Sequence, residues 1–144
     1  MAYGGKYKPK NISKYIGDPT KVVYRSLWER KFMVYCDETE SVLEWGSEEI
    51  VVPYLSPIDG KWHRYYVDFI VRVKTHEGKI ETKLIEIKPK KKCSPPTKKS
   101  RLTKKYIMEV KEWGINSSKW KYASEYAKKR GWKFHVFHED HLGV

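Results

Sequence analysis

The chain has 144 residues, 40% of them hydrophobic and 15% aromatic, which is enough apolar material for one packed core and excludes global disorder. Its 30 Lys and Arg against 18 Asp and Glu leave a net charge of +12, a field that favours polyanionic partners because neutralising phosphates releases condensed counterions. Two cysteines with no CxxC pair exclude a zinc ribbon or a disulfide scaffold, and no apolar run nears the ~20 residues of a membrane span.

Residues 1–20, rich in Gly, Pro and Lys, read as a basic N-terminal arm ending in the turn signal Gly17-Asp18-Pro19. Lys6, Lys8, Lys10 and Lys14 are its basic residues, and no apolar stretch of signal-peptide type precedes them, so a reducing cytosolic compartment is expected. Residues 21–144 are expected to form a single domain. Over residues 24–39, Tyr24, Trp28, Phe32 and Tyr35/Cys36 recur at spacings of three or four, which predicts a helix carrying Ser26 and Glu29 three apart. Three strands follow at 48–55, 62–74 and 80–88, with Ile58-Asp59-Gly60 and His76-Glu77-Gly78 as turns, and so predict an antiparallel meander.

Residues 90–100 read as an exposed loop with two adjacent prolines. Between Pro89 and Met108 lie Lys90, Lys91, Lys92, Lys98, Lys99, Arg101, Lys104 and Lys105 without one acid, a composition suited to phosphate. Leu102, Tyr106, Val110 and Trp113 then recur at helical spacing. Gly114 is expected to break that helix, a second is expected over 117–129 with Gly131 as its cap, and a last strand over 132–137. The predicted order is α-β-β-β-α-α-β.

Acids interrupt the apolar strands at two places. Asp68 stands within Tyr65-Tyr66-Val67-Asp68-Phe69-Ile70-Val71, where alternation puts it on the face of Tyr66 and Ile70. A buried carboxylate needs a partner that offsets its desolvation, and a divalent cation is one such partner. Leu84-Ile85-Glu86-Ile87-Lys88 follows, with Glu86 and Lys88 two apart on one face and Ile85 and Ile87 on the other. If the two strands pair, Asp68 and Glu86 converge on one hard cation such as Mg²⁺, beside the Lys88 ammonium. Taken singly, each acid also reads as a cap, a salt-bridge partner or a surface ion pair. Glu29 keeps two readings: an acid directed at the sheet, or an i,i+4 partner of Arg25.

At these residues the sequence resembles the PD-(D/E)xK, or restriction-endonuclease-like, nuclease superfamily. Within it the likeness is greatest to the head completion nucleases of T-even-type tailed phages. That likeness runs through MAYGGKYKPKNISKYIGDPTKVVYRSLWER, EWGSEEIVVPY, RYYVDF, IEIKPKKKCSPP and WGINSSKWKYASEYAKKRGWKF, nearly the whole chain. A more distant likeness is to a transposon-encoded endonuclease, whose S-x-x-E helix is matched by Ser26 and Glu29. Val67 stands where the superfamily's name has proline.

The resemblance implies an α/β fold with an αβββαβ core, its mixed central sheet flanked by helices. It implies Asp68, Glu86 and the Ile87 carbonyl as Mg²⁺ ligands, with Mn²⁺ able to substitute. Glu29 would hold a second metal or a metal-bound water, and Lys88 would orient the attacking water. It further implies DNA as substrate, held through the backbone by the arm and by Lys90, Lys91, Lys92, Lys98, Lys99 and Arg101. Phage head or portal components are implied as partners, and the host cytoplasm during assembly, or the virion head, as location. Two alternatives stand beside this reading: a non-catalytic head protein using the fold only to bind DNA or portal, and a transposon-type endonuclease.

His135, His138 and His141 do not suit a zinc site, because the first two face opposite sides of a strand and the third lies in a tail. Trp113, Trp120 and Trp132 read as core aromatics rather than stacking platforms. For Tyr3, Tyr7 and Tyr15 in the arm, packing and stacking on single strands both remain open.

Overall fold

A computed structural model describes residues 4–143. The chain runs β1 (Gly5–Lys6), β2 (Val23–Tyr24), α1 (Leu27–Glu38), β3 (Val42–Ser47), β4 (Val51–Leu55), β5 (Trp62–Tyr66), β6 (Phe69–Lys74), β7 (Ile80–Ile87), α2 (Lys104–Lys129), β8 (Lys133–Phe137) and α3 (Glu139–Leu142). Among the described residues no helix is long and apolar enough to cross a membrane.

Strands β6 and β7 carry apolar side chains on both faces, so both faces must be covered. The central sheet has the order β3-β6-β7-β8, antiparallel except for the β7–β8 pair. That parallel pair needs a crossover, which α2 supplies. On one face Phe69, Val71, Ile85 and Ile87 pack against Phe32, Met33 and Cys36 of α1. On the other, Ile70 and Leu84 pack with Ala123 and Ala127 of α2 and with the β4–β5 hairpin through Val52, Tyr54 and Tyr65. The expected α/β architecture, a mixed sheet flanked by helices, is the one observed.

The predicted strand over 62–74 is in fact two. Its first half pairs with β4 and its second with β3 and β7, and the chain bends at Val67-Asp68. The bend resets the alternation: Val67 packs on the α2 side with Ile70, while Phe69 faces α1. Asp68 therefore lies at the end of the sheet and not on the face it was expected to share with Tyr66 and Ile70. Strand β3 was not foreseen. It is interrupted by Glu44 and Gly46, but a side chain at Gly46 would come within 3.1 Å of the Ile16 carbonyl and 3.0 Å of Glu49, so glycine is what lets the N-terminal segment close on it. Gly114 does not break α2, which runs 26 residues through it. A mid-helix glycine costs only about 1 kcal/mol, and contact with the sheet and hairpin outweighs that. The stripe Leu102, Tyr106, Val110 meets no core; Leu102 is 73% and Val110 45% exposed.

Residues 4–20 do not stand off the domain as an arm. Tyr7 and Tyr15 are buried against Trp45, with ring centroids 6.0 and 4.8 Å away, which decides for packing over stacking on DNA; Tyr3 lies outside the described residues. The segment is fastened by Asp37, fully buried at the end of α1. Its carboxylate accepts the Tyr7 hydroxyl at 2.7 Å and the Lys10 and Asn11 N–H groups at 2.7 and 3.0 Å. Lys14 turns inward, donating to the Asp37 and Thr39 carbonyls at 3.0 and 2.9 Å, where a cation suits the helix C-terminus.

Burial opposes the Asp37 charge, but the three donors outweigh it and hold its pKa below the usual range. A depressed folded pKa means stability present above the unfolded value near 3.9 and lost as pH falls through the folded one. Asp37→Ala is expected to lower unfolding free energy by about 3 kcal/mol at pH 7, since it orphans buried donors. Urea unfolding at pH 7 and pH 3 checks this, and the gap between parent and variant should narrow at the lower pH.

Candidate active site

Strand β6 begins at Phe69, paired with Ile85, so the ladder stops before it can reach Ile87 from that side. The Asp68 carboxylate takes the vacant place, and its Oδ2 accepts the Ile87 N–H at 2.8 Å. In extended backbone the N–H and C=O of one residue point to the same neighbour, so the Ile87 carbonyl faces the edge where Asp68 stands. Glu86, one residue earlier, is 4% exposed and projects to the α2 side together with Leu84. The Glu86 carboxyl is near enough for its charge to bear strongly on Asp68. The bend at residue 68 thus brings together two acids that strict alternation along one strand would have related differently.

Glu29 arrives from the opposite layer. Ser26 caps α1, its Oγ accepting the Glu29 N–H at 3.2 Å, and Glu29 is therefore the third residue of the helix. The Glu29 carboxylate folds back, accepting the Ser26 hydroxyl at 3.3 Å and the Arg25 N–H at 3.4 Å. Glu29 is thus tied to residue 25 through the main chain rather than the guanidinium.

The charges of Glu86 and Glu29 bear on Asp68, and that of Glu86 bears on Glu29. Burial, then the Glu86 charge and its hydrogen bond, then the Glu29 charge raise the Asp68 pKa well above the ordinary carboxylate value, against the pull of the Ile87 N–H. Asp68 keeps an opening to solvent even so. Burial also raises Glu29, with the charges of Glu48 and Glu86 adding to it, though the Arg25 and Ser26 hydrogen bonds oppose the rise. Two crowded carboxylates and a backbone carbonyl form a hard-oxygen donor set that a divalent cation would neutralise. Among the described residues no three His, Cys, Asp or Glu side chains are set close enough to hold a metal as they stand. Asp68, Glu86 and the Ile87 carbonyl are the groups that would hold such a cation, while Glu29 is bonded to its own cap.

Lys88 ends the strand, its N–H bonded to the Phe137 carbonyl at 2.9 Å. It is half-buried and lines a groove of about 800 Å³ along α2, with Lys105, Asn116 and Lys119 among the other walls. A second groove of about 620 Å³ shares Lys105 and Asn116 and continues to Lys91, Lys92 and Lys99 of the basic loop, with Trp113 in its wall. Sequence reasoning missed Lys119, whose ammonium lies 5.4 Å from the Tyr65 ring centre. It missed Tyr65 as well. The buried Tyr65 hydroxyl makes no hydrogen bond of ordinary geometry among the described residues, and burial, then the charges of Glu86 and Asp68, push its pKa far up. No spacing rule connects residue 119 to residue 65; only the packing of α2 on the hairpin does.

The basic residues expected to hold DNA divide into three groups. Lys10 pairs with Glu38, Lys90 with Asp140 and Lys92 with Glu112, at 3.1, 2.9 and 2.9 Å. Lys6, Lys8, Lys91, Lys98, Lys99 and Arg101 are exposed and form no ion pair among the described residues. Lys14 is half-buried, its ammonium bonded to the carbonyls at the end of α1. His138 and His141 form the capping box of α3, and His135 stacks on Phe137 at 5.9 Å.

An acid whose folded pKa is raised binds its proton more tightly folded than unfolded, so stability falls as pH rises through that interval. Asp68→Asn is therefore expected to raise the melting temperature by several degrees at pH 7 in chelator, and to gain less at pH 4. Differential scanning calorimetry at the two pH values checks both points.

Two comparisons bear on this site. The family model described as TnsA-like endonuclease N terminal matches residues 39–139, a span that holds Asp68, Glu86 and Lys88 and begins after Glu29. The chain is also 45% identical over 146 aligned positions to a head completion nuclease of Enterobacteria phage T4, covering 99% of this chain and 95% of that protein. The chain belongs to the TnsA-like endonuclease family, as a homologue of the phage head completion nuclease.

Proposed function

We propose that the chain is a metal-dependent DNA endonuclease acting in phage head completion, with Asp68, Glu86 and the Ile87 carbonyl as its cation ligands and Mg²⁺ or Mn²⁺ as the ion. The observation that supports it best is the Asp68 carboxylate bonded to the Ile87 N–H at the end of the sheet, next to the buried Glu86 of the Ile87 strand. A binding module for DNA has no use for such a cluster, since it repels phosphate. The cation would supply what that cluster lacks: charge to offset the phosphate oxygens and a lowered pKa for water.

The chain's own residues then have distinct tasks. Asp68 is kept in place by the Ile87 N–H and Glu86 by burial, so their oxygens are set before any substrate arrives. Glu29, at the helix N-terminus, holds or accepts a proton from water on the α1 side. Lys88 stands at the mouth of the groove along α2, where its ammonium meets the phosphate oxygen that gains charge. The strand runs on over Lys105 and Lys119 toward Lys91 and Lys99, held through its backbone without reading sequence. Phage head or portal components would be the assembly partners, met in the host cytoplasm.

Purified protein with Mg²⁺ or Mn²⁺ is expected to nick or degrade duplex DNA. Asp68→Asn and Glu86→Gln should reduce cleavage to background, and Lys88→Ala should reduce it by about 10²-fold or more, with each variant folded by circular dichroism. Binding of DNA with no cleavage under any cation would instead identify a structural head protein that keeps the nuclease fold. Separately, each of Lys91, Lys99 and Arg101 changed to Ala is expected to shallow the log–log salt dependence of DNA binding by about 0.9 if it contacts one phosphate. Fluorescence anisotropy between low and moderate salt measures that slope.

A further inference from the structure

Arg25 precedes the Ser26 cap, at the rim of the acid cluster. Its guanidinium grips Glu48 through two parallel bonds, Nε to Oε1 and Nη2 to Oε2, each 3.2 Å. The Arg25 side chain is 67% exposed and Glu48 32%. An ion pair this open to solvent contributes little to stability, so stability alone does not account for it. Its position is more telling than its strength: the Arg25 charge acts on Glu29 and Asp68 as well as on Glu48, and its own N–H holds the Glu29 carboxylate.

Glu48 is unusual in its backbone. Among the described residues it is the one non-glycine with positive φ, at 55°. Such a conformation is unfavourable for glutamate and persists only where its surroundings impose it. Two contacts impose it here: the Glu48 N–H donates to the Asp68 carbonyl at 3.0 Å, and its carboxylate is held by Arg25. The strained residue thus joins the main chain of Asp68 to the guanidinium at the rim.

We infer that Arg25 is a phosphate-positioning residue of this site, and that Glu48 occupies its guanidinium until DNA arrives. The inference rests on the nuclease reading above. A guanidinium fork matches a carboxylate and a phosphodiester equally well, with two donors for two oxygens. Glu48 is therefore an internal stand-in for phosphate. A phosphodiester that approaches Asp68 and Glu86 comes within reach of Arg25, takes over both donors and leaves Glu48 to solvent. The exchange keeps the guanidinium paired throughout, and it orients the phosphate relative to the acids in a way that a lone lysine, a point charge, does not.

The test uses the full chain and a fluorescent duplex, with Mg²⁺ for cleavage and Ca²⁺ for binding without cleavage. Arg25→Ala is expected to lose about 10²-fold in kcat/KM with its melting temperature nearly unchanged, and added guanidinium is expected to restore at least part of the loss. Arg25→Lys should remain defective. Glu48→Gln should bind DNA more tightly than Glu49→Gln, although each removes one negative charge. Cleavage by Arg25→Ala at the parent rate, no guanidinium rescue, or equal gains in the two Glu→Gln variants would each overturn the inference. If Arg25→Ala does not fold, the Arg25→Lys and Glu48→Gln arms still decide it. A parent that cleaves under no cation defeats the nuclease reading, whereas the Ca²⁺ binding comparison continues to judge Arg25 by itself.

Discussion

The bend at Val67-Asp68 is the constraint around which the molecule is organised. Before it the chain belongs to the outer hairpin, and after it to the central sheet. Val67 is buried on the α2 side and Phe69 on the α1 side, both almost inaccessible to solvent, so neither neighbour of Asp68 can shift without exposing core. The aspartate between them is consequently fixed at the sheet's end, bonded to the Ile87 N–H and crowded by Glu86. Like charge crowded at such a place is relieved either by a proton, as the raised Asp68 pKa indicates, or by a cation.

The N-terminal segment serves the same place from a distance. Asp37 ties residues 7–11 to the far end of α1, Tyr15 bonds the Ser47 backbone at the end of β3, and β1 pairs with β2. Strand β2 then leads directly into Arg25, Ser26 and Glu29. Packing that looks remote from the chemistry therefore fixes where the helix begins, and the helix start fixes Glu29 through its cap. The short range of a cap bond turns a position in the chain into a position in space.

Periodicity revealed the elements that have one wet and one dry side. Helix α1 and the hairpin turns at 58–60 and 76–78 were legible, as was E-x-K at the end of an apolar strand. Three features were not. Strand β3 is broken in composition by Glu44 and Gly46, and its pairing depends on residues far away, Phe69 to Val73. The continuity of α2 through Gly114 depends on tertiary contact, which outweighs a small propensity penalty. The role of Lys14 could not be read either, since a lysine in a basic stretch looks the same whether it faces phosphate or caps a helix. Among the acids, Asp68 and Glu86 were visible because a carboxylate inside an apolar strand is anomalous. Glu48 and Arg25 were not, because their meaning lies in a backbone angle and a contact across 23 positions.

The distribution of charge completes the picture. A net charge of +12 describes the chain as a whole, but several cations are internally paired, and among the others Lys91, Lys99, Lys105 and Lys119 line the grooves beside α2. The acids at the sheet's end form a small negative region at the origin of that positive track. A polyanion is attracted by the track over a distance set by ionic strength, about 8–10 Å at physiological salt, and is repelled at its end. The two tendencies are compatible if the negative region is neutralised locally, so on the proposed reading DNA binding and cation binding would depend on each other at this site. Lys88 lies at the boundary, directly after the strand of Glu86 and in the wall of the groove, and on the proposed reading it would be where attraction for the backbone becomes placement of one phosphate.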